Sequence, residues 1–390
     1  GIGPSVADLL REREITTFTP ATGDSRGWIS DGAALAGLVI QQTHAGVTQT
    51  VRLAHNLSVT GAPTFAVSAG AVVLDVGAYK LRTTSDITIP AGVTVTLAGG
   101  EFGKAEGDVS LGGLTIQAGG TLAGTGLVSP GRGDYLIAEG GTLQVGAGML
   151  SLGLPFGEVF RWDGAIVGNG ATSVLNLASG LSNGQLKKIA QVGPNASISG
   201  IVELRMAPIF PVQPAATFSF GRFADPARIQ IGQMTLTSTE STQFLWEAQT
   251  TALDVFNNPA NPAFKLGAWK ATGGADLKLL DTGTVADDFA YIGRLVGLSS
   301  SQRLDLNDIP LLTDMTAVEL AAILAFVDNT GVLGPAQVKT VQIGQGDYWY
   351  LAPEGASIQP PVTEAEIPEP GCSLLLAAGL AALSARRKRG

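Results

Sequence analysis

Short stretches of alternating apolar and polar residues recur through the first half of this chain, each followed by a glycine and a second alternating stretch. The first members lie at 64–67, 86–89, 114–116 and 135–137, and the glycines are Gly70, Gly92, Gly119 and Gly140. Alternation with a period of two marks strands with one buried side. The glycines follow one another at 22, 27 and 21 residues, and self-similarity at such a period is the mark of a solenoid. The pattern predicts an all-β fold, a right-handed parallel β-helix in which each coil runs strand, glycine corner, strand. Glycine suits the corner because it takes a positive φ at little cost. Val and Leu at alternate positions then stack on their counterparts one coil away. A β-sandwich is the alternative. The unequal spacing favours coils with loops of variable length, because hairpin-built sandwiches seldom repeat one corner signature.

The repeat is assigned to residues 1–209. From Phe210 it fades, and 210–358 reads as a less regular, β-rich capping subdomain that carries Trp246, Trp269, Tyr291 and Trp349. Both ends of a solenoid need covering. Ser5-Val6-Ala7-Asp8 has capping-box spacing before a short helix to about Glu14. Thr316-Ala317-Val318-Glu319 opens a second helix through about Val327, closed by Asn329 and Gly331. Residues 359–367 are proline-rich and acidic, as a stiff spacer should be.

Composition sharpens this picture. Glycine supplies 52 of 390 residues, without the strict three-residue period of collagen. The net charge is -9, but four of the 24 basic residues are Arg386, Arg387, Lys388 and Arg389, so the rest carries 20 basic against 33 acidic groups. An acidic body repels phosphates, which excludes nucleic acid as a natural partner. The single Cys372 leaves residues 1–371 without a thiol, so the body can hold neither a disulfide nor a cysteine-based zinc site.

The last part of the sequence is its most specific feature. Pro368, Glu369 and Pro370 precede fifteen uncharged residues, 371–385, and the basic cluster Arg386, Arg387, Lys388 and Arg389 follows. A helix of that length spans about 22 Å, short of a ~30 Å hydrocarbon core. The flanking cations can snorkel and would hold that end on the cytoplasmic side. This order resembles the PEP-CTERM sorting signal of Gram-negative bacteria, with Pro368, Glu369 and Pro370 as the sorting motif. The resemblance implies a transient partnership with exosortase and the inner membrane, followed by release to the cell surface or extracellular matrix. Cys372 is read as a small apolar residue of the helix. The body's repeats resemble the passenger-type β-strand repeats of bacterial surface proteins, which implies a structural or adhesive role and exopolysaccharide or surface proteins as partners.

Searches for catalytic patterns return little. His44 and His55 lack a helical metal-binding spacing, and there is no nucleophile elbow or phosphate loop. Asp305-Leu306-Asn307-Asp308 resembles the start of a calcium loop but lacks its glycine and distal glutamate. The alternative to a structural protein is a β-helix carbohydrate-active enzyme, a polysaccharide lyase or glycoside hydrolase, which needs carboxylates gathered on one face. Asp75, Asp86 and Asp108 are the candidates among the repeats, and their unequal offsets from the corner glycines speak against one face. An ice-binding face would need Thr-x-Thr at one position of every coil, whereas Thr94-Val95-Thr96 and Thr235-Leu236-Thr237 stand far apart. The expectation is a non-catalytic protein without cofactor or metal.

Overall fold

The computed structural model describes residues 37–103, 113–129, 134–153, 160–168, 171–178, 191–206, 231–239, 265–280 and 289–359, with the short segments 16–18, 26–28, 34–35, 216–219 and 242–245 and the single residue 256. The chain is a parallel β-solenoid of about eight turns. Its strands occupy three positions in each coil. The first face carries short strands that precede the corner glycines, such as Ile87–Ile89, Leu114–Ile116 and Tyr135–Ile137. The second follows the corner, as in Thr48–Leu53 and Ala71–Gly77, and the third follows a further turn, as in Leu57–Val59 and Lys80–Thr83. The long strands Val93–Gly103, Thr121–Ser129 and Thr142–Gly153 bend across the second and third faces. The neighbours on all three faces pair in parallel, which excludes the hairpin-built sandwich.

The corner glycines perform the expected task. Gly70, Gly92, Gly119 and Gly140 have φ values of 75°, 75°, 74° and 74°. They also link the coils directly, since the Gly92 N–H donates to the Gly119 carbonyl at 3.0 Å and the Gly119 N–H to that of Gly140 at 2.8 Å.

In-register stacking builds the interior. On the second face Val51, Leu74, Val95, Leu122, Leu143, Ile166 and Ile198 form one unbroken aliphatic column, each residue at most 2% exposed. On the third face Leu175, Leu204, Leu236, Trp269 and Leu295 form a second apolar column, each residue at most 5% exposed. Burying each such side chain contributes about 1.5–3 kcal/mol, so repetition compensates for strands of only three or four residues. The buried Trp269 indole is satisfied by donating to the Ser238 hydroxyl at 3.0 Å, and its ring meets Phe244 edge-on at 5.5 Å.

The parallel ladder runs across the 209/210 position where the sequence signature ends. Glu203–Met206 pairs with Thr235–Ser238, then Leu266–Ala271, then Ala290–Val296 and finally Leu311–Thr313. Partners such as Glu203 and Thr235 lie 32 residues apart, and longer connections hide the period there. Capping begins later, where Ala336–Ile343 and Gly346–Pro353 form an antiparallel hairpin that pairs with Leu311–Thr313. Behind that wall a second apolar cluster joins Phe289, Tyr291 and Leu312 to Val341, Ile343, Tyr350, Ala352 and Ile358.

The predicted helix forms as α1, Ala317–Ile323, and its capping box is present: the Glu319 N–H donates to the Thr316 hydroxyl, and the Thr316 N–H donates to the Glu319 carboxylate. It ends earlier than expected, because a 3-10 turn at Leu324–Phe326 intervenes and Val327 is drawn into parallel pairing with Leu304. The predicted N-terminal lid at Ser5–Asp8 and the segment 368–390 lie outside the described residues, as does Trp246.

Coil contact makes a specific stability test. An added Cβ at Gly119 would meet the Ala91 Cβ at 3.4 Å, whereas at Gly124 it would overlap the Leu97 carbonyl oxygen. Gly119→Ala is expected to cost about 1 kcal/mol through its positive φ. Gly124→Ala should cost about 1–3 kcal/mol more, because the coils must part. Equilibrium denaturation of the two variants checks this, and equal losses would contradict the stacking described.

Candidate functional site

The sequence candidates do not converge. Asp75 lies on the outer side of the second face, paired with Arg52 at 2.8 Å and accepting from the Thr96 hydroxyl at 3.2 Å. Asp86 sits in a turn, where it accepts from the Gly113 N–H at 3.0 Å. Asp108 lies outside the described residues. His44 is exposed in the turn between the first and second faces, and His55 in the turn between the second and third. The two Thr-x-Thr pairs belong to different faces, with Thr94 on the second and Thr235 on the third. Thr94 stacks instead on Thr121 and Thr142, a run of three flanked by Val73 and Ala165.

Asp305-Leu306-Asn307-Asp308 is a clasp. Its oxygens are occupied by the protein: Asp305 accepts from Lys278, the Thr330 N–H and hydroxyl, and the Asn307 N–H. Asp308 accepts from the Asn329 amide and from the N–H groups of Val332 and Leu333. The strained backbone of Asn307 and Asp308, φ 49° and 67°, turns these carboxylates onto the loop at 329–334. A calcium ion would have to displace those donors. Among the described residues no group of three or more metal-ligating side chains comes together.

Near the hairpin, Asp314 accepts from the Tyr291 hydroxyl at 2.7 Å and from Lys265 at 2.7 Å, with the Lys265 ammonium 5.5 Å from the centre of the Tyr291 ring. Burial, reinforced by Asp314, pushes the Tyr291 phenol far up. The phenol therefore stays neutral, with its proton already committed to Asp314. The trio fixes structure rather than moving protons.

The polar positions that do line up were not singled out by sequence. On the outer side of the third face, Ser151, Asn176, Arg205, Thr237 and Lys270 stand in register on five successive coils. Neighbouring parallel strands lie about 4.8 Å apart. Asn176 is 8% exposed; its amide N–H donates to the Ser151 hydroxyl at 3.2 Å, and its buried Oδ1 has no hydrogen-bond partner among the described residues. Arg205 forks onto Glu203 at 3.0 and 3.2 Å, while Lys270 is exposed and forms no ion pair among the described residues. Asn176, Arg205 and Lys270 each alternate with apolar residues in sequence, but their alignment depends on a register set by connections of about thirty residues.

Fold and faces thus define a parallel β-solenoid protein whose outer polar groups form columns along the stack. No protein-family model matches the chain, and no curated protein or solved structure matches it.

The clasp generates a pH test. Burial works to raise the Asp305 and Asp308 carboxyls, but Lys278, Thr330, Asn329 and backbone N–H groups outweigh it and hold both below their ordinary value. Arg303 chiefly does the same for Asp328. Folded groups with depressed values contribute stability above an unfolded pKa of about 3.9, and that contribution is lost as pH falls through the folded values. Asp305→Asn is expected to lower the melting temperature at neutral pH and to shrink its further fall between about pH 5 and pH 3. An unchanged acid dependence in thermal unfolding would contradict the clasp.

Proposed function

We propose that the chain is an exported structural protein of the bacterial cell surface or extracellular matrix, without catalytic activity, delivered through an exosortase-type signal. The main support is that charged side chains of the described body are paired mostly between coils. Arg52 and Asp75, Lys80 and Glu101, and Lys278 and Asp305 are partners in register across neighbouring strands. Arg161 with Asp134 and Arg303 with Asp328 likewise join adjacent coils. Each exposed pair contributes little alone, about 0–1 kcal/mol. Repeated along a stack, they fix register and oppose slippage. A rigid body in which carboxylates secure the coils suits a scaffold outside the cell, where a disulfide-free protein must persist.

The pattern from Pro368 to Arg389 supports the delivery route. Its resemblance to the PEP-CTERM signal makes Pro368, Glu369 and Pro370 the recognition motif, residues 371–385 the membrane segment, and Arg386, Arg387, Lys388 and Arg389 the cytoplasmic anchor. Among the described residues no helix is long and apolar enough to cross a membrane, and 371–385 lie outside them.

Deleting residues 368–390 tests this route in a Gram-negative host with an exosortase. The intact chain should be found in the membrane fraction before release to the surface, and the truncated chain should leave the membrane fraction. Identical fractionation of both would overturn the sorting proposal.

A further inference from the structure

We propose that the outer edge of strand Ala336–Ile343 is a dimerisation edge, on which a second copy of the chain pairs the same strand antiparallel about a two-fold axis at Thr340. The inference stands apart from the surface-protein reading and uses only the capping hairpin.

The free backbone of this strand follows from its hydrogen-bond parity. The strand pairs with Gly346–Pro353 without a bulge, from Ala336 opposite Pro353 to Ile343 opposite Gly346. Just before it, the Glu354 N–H donates to the Pro335 carbonyl at 2.9 Å. In an antiparallel pair the bonded positions alternate along each strand, so the odd positions from 335 to 343 turn their backbone groups toward the hairpin. Ala336, Val338, Thr340 and Gln342 therefore turn their N–H and C=O groups the other way. Gly346–Pro353 is flanked on its far side by Leu311–Thr313, but no strand pairs with the outer side of Ala336–Ile343 among the described residues. The four outward positions have no hydrogen-bond partner there.

This edge also lacks the usual protections. Open edges are ordinarily blunted by a proline, a bulge or an outward lysine. Here Pro335 lies outside the strand, the register is unbroken, and the single charge, Lys339, is tied down because its ammonium donates to the Pro353 and Ala356 carbonyls. Ala336 and Val338 are half-buried and pack against the solenoid core, as do Ile323 and Leu324. Thr340 and Gln342 are exposed, so the open part of the edge is centred on Thr340.

Those features name a second copy as the occupant. A strand without a free charge meets its own antiparallel image without repulsion, and the image carries the same donors and acceptors at the same spacing. The register is selected as well. Engaging all four outward residues would put Lys339 directly opposite Lys339 of the second copy, which is unfavourable. Placing Thr340 on the axis sets Lys339 against Val341 of the second copy, Val338 against Gln342, and Thr340 against Thr340, a favourable cross-strand pair. Val338, Thr340 and Gln342 of each copy then exchange about six backbone bonds.

Sedimentation equilibrium of the full-length chain in density-matched detergent tests this, and a reversible monomer–dimer equilibrium is expected. Thr340→Pro removes an outward N–H that the hairpin does not use, and Thr340→Lys places like charges on the axis. Each should weaken dimerisation at least about ten-fold. Thr94→Lys, the same change on the second face, should leave it unaltered. Circular dichroism confirms that the variants fold, and Thr340→Lys, at an exposed position, decides the matter if the proline variant does not fold. Amide hydrogen exchange identifies the occupant, since Val338, Thr340 and Gln342 should gain protection as protein concentration rises. Dimerisation unaffected by Thr340→Lys would overturn the proposal. So would protection independent of concentration, which would put a segment of the same chain on the edge. A chain that stays monomeric at every concentration overturns it equally, including one whose edge amides become protected only when an unrelated extended peptide is added.

Discussion

Everything in this protein depends on one coil lying in register on the next. A three-residue strand such as Ile87–Ile89 has no stability of its own. It persists because Ile87 and Ile89 rest on Leu114 and Ile116, which rest on Tyr135 and Ile137. The same parallel register aligns backbone donors with acceptors, apolar residues with apolar residues, and ions with counter-ions. A slip by one residue would turn the column from Val51 to Ile198 toward solvent. The corner glycines permit this stacking, since each turn must leave the coil at the same angle for the next coil to fit.

Much of the fold was legible for that reason. Periodicity two with a recurring glycine is a local signal, and Gly70, Gly92, Gly119 and Gly140 adopt the conformation their position demands. The capping box at Thr316 is equally local, with donor and acceptor within four residues of each other. What sequence could not show was set by distance. The ladder continues beyond residue 209 through partners 32 or 33 residues apart, and no short window contains two of its coils. The end of α1 was misplaced because pairing of Val327 with Leu304 overrides helical propensity. The polar column on the third face was invisible for the same reason, since Asn176 and Lys270 are almost a hundred residues apart and meet only through three intervening registers.

Charge follows the same geometry. An acidic composition alone suggests only what the body avoids. Placed on the stack, several described carboxylates have a cation on a neighbouring coil, and the acid clasp at Asp305 and Asp308 secures the loop beside the capping hairpin. Lys270 stands out against that background as an exposed cation without an ion-pair partner among the described residues.

The register itself can be measured as a distance. Thr50, Val73, Thr94, Thr121, Thr142, Ala165 and Ser197 form one outer column on the second face. Cys372 is the single cysteine, so its replacement by serine allows spin labels to be placed at Thr50→Cys and Ser197→Cys alone. Six coil spacings separate these positions, about 29 Å at about 4.8 Å each. Double electron–electron resonance should give a narrow distribution centred near that distance, widened only by the label arms. A broad distribution, or a centre displaced by more than about two coil spacings, roughly 10 Å, would contradict the stacked solenoid on which the rest of the account is built.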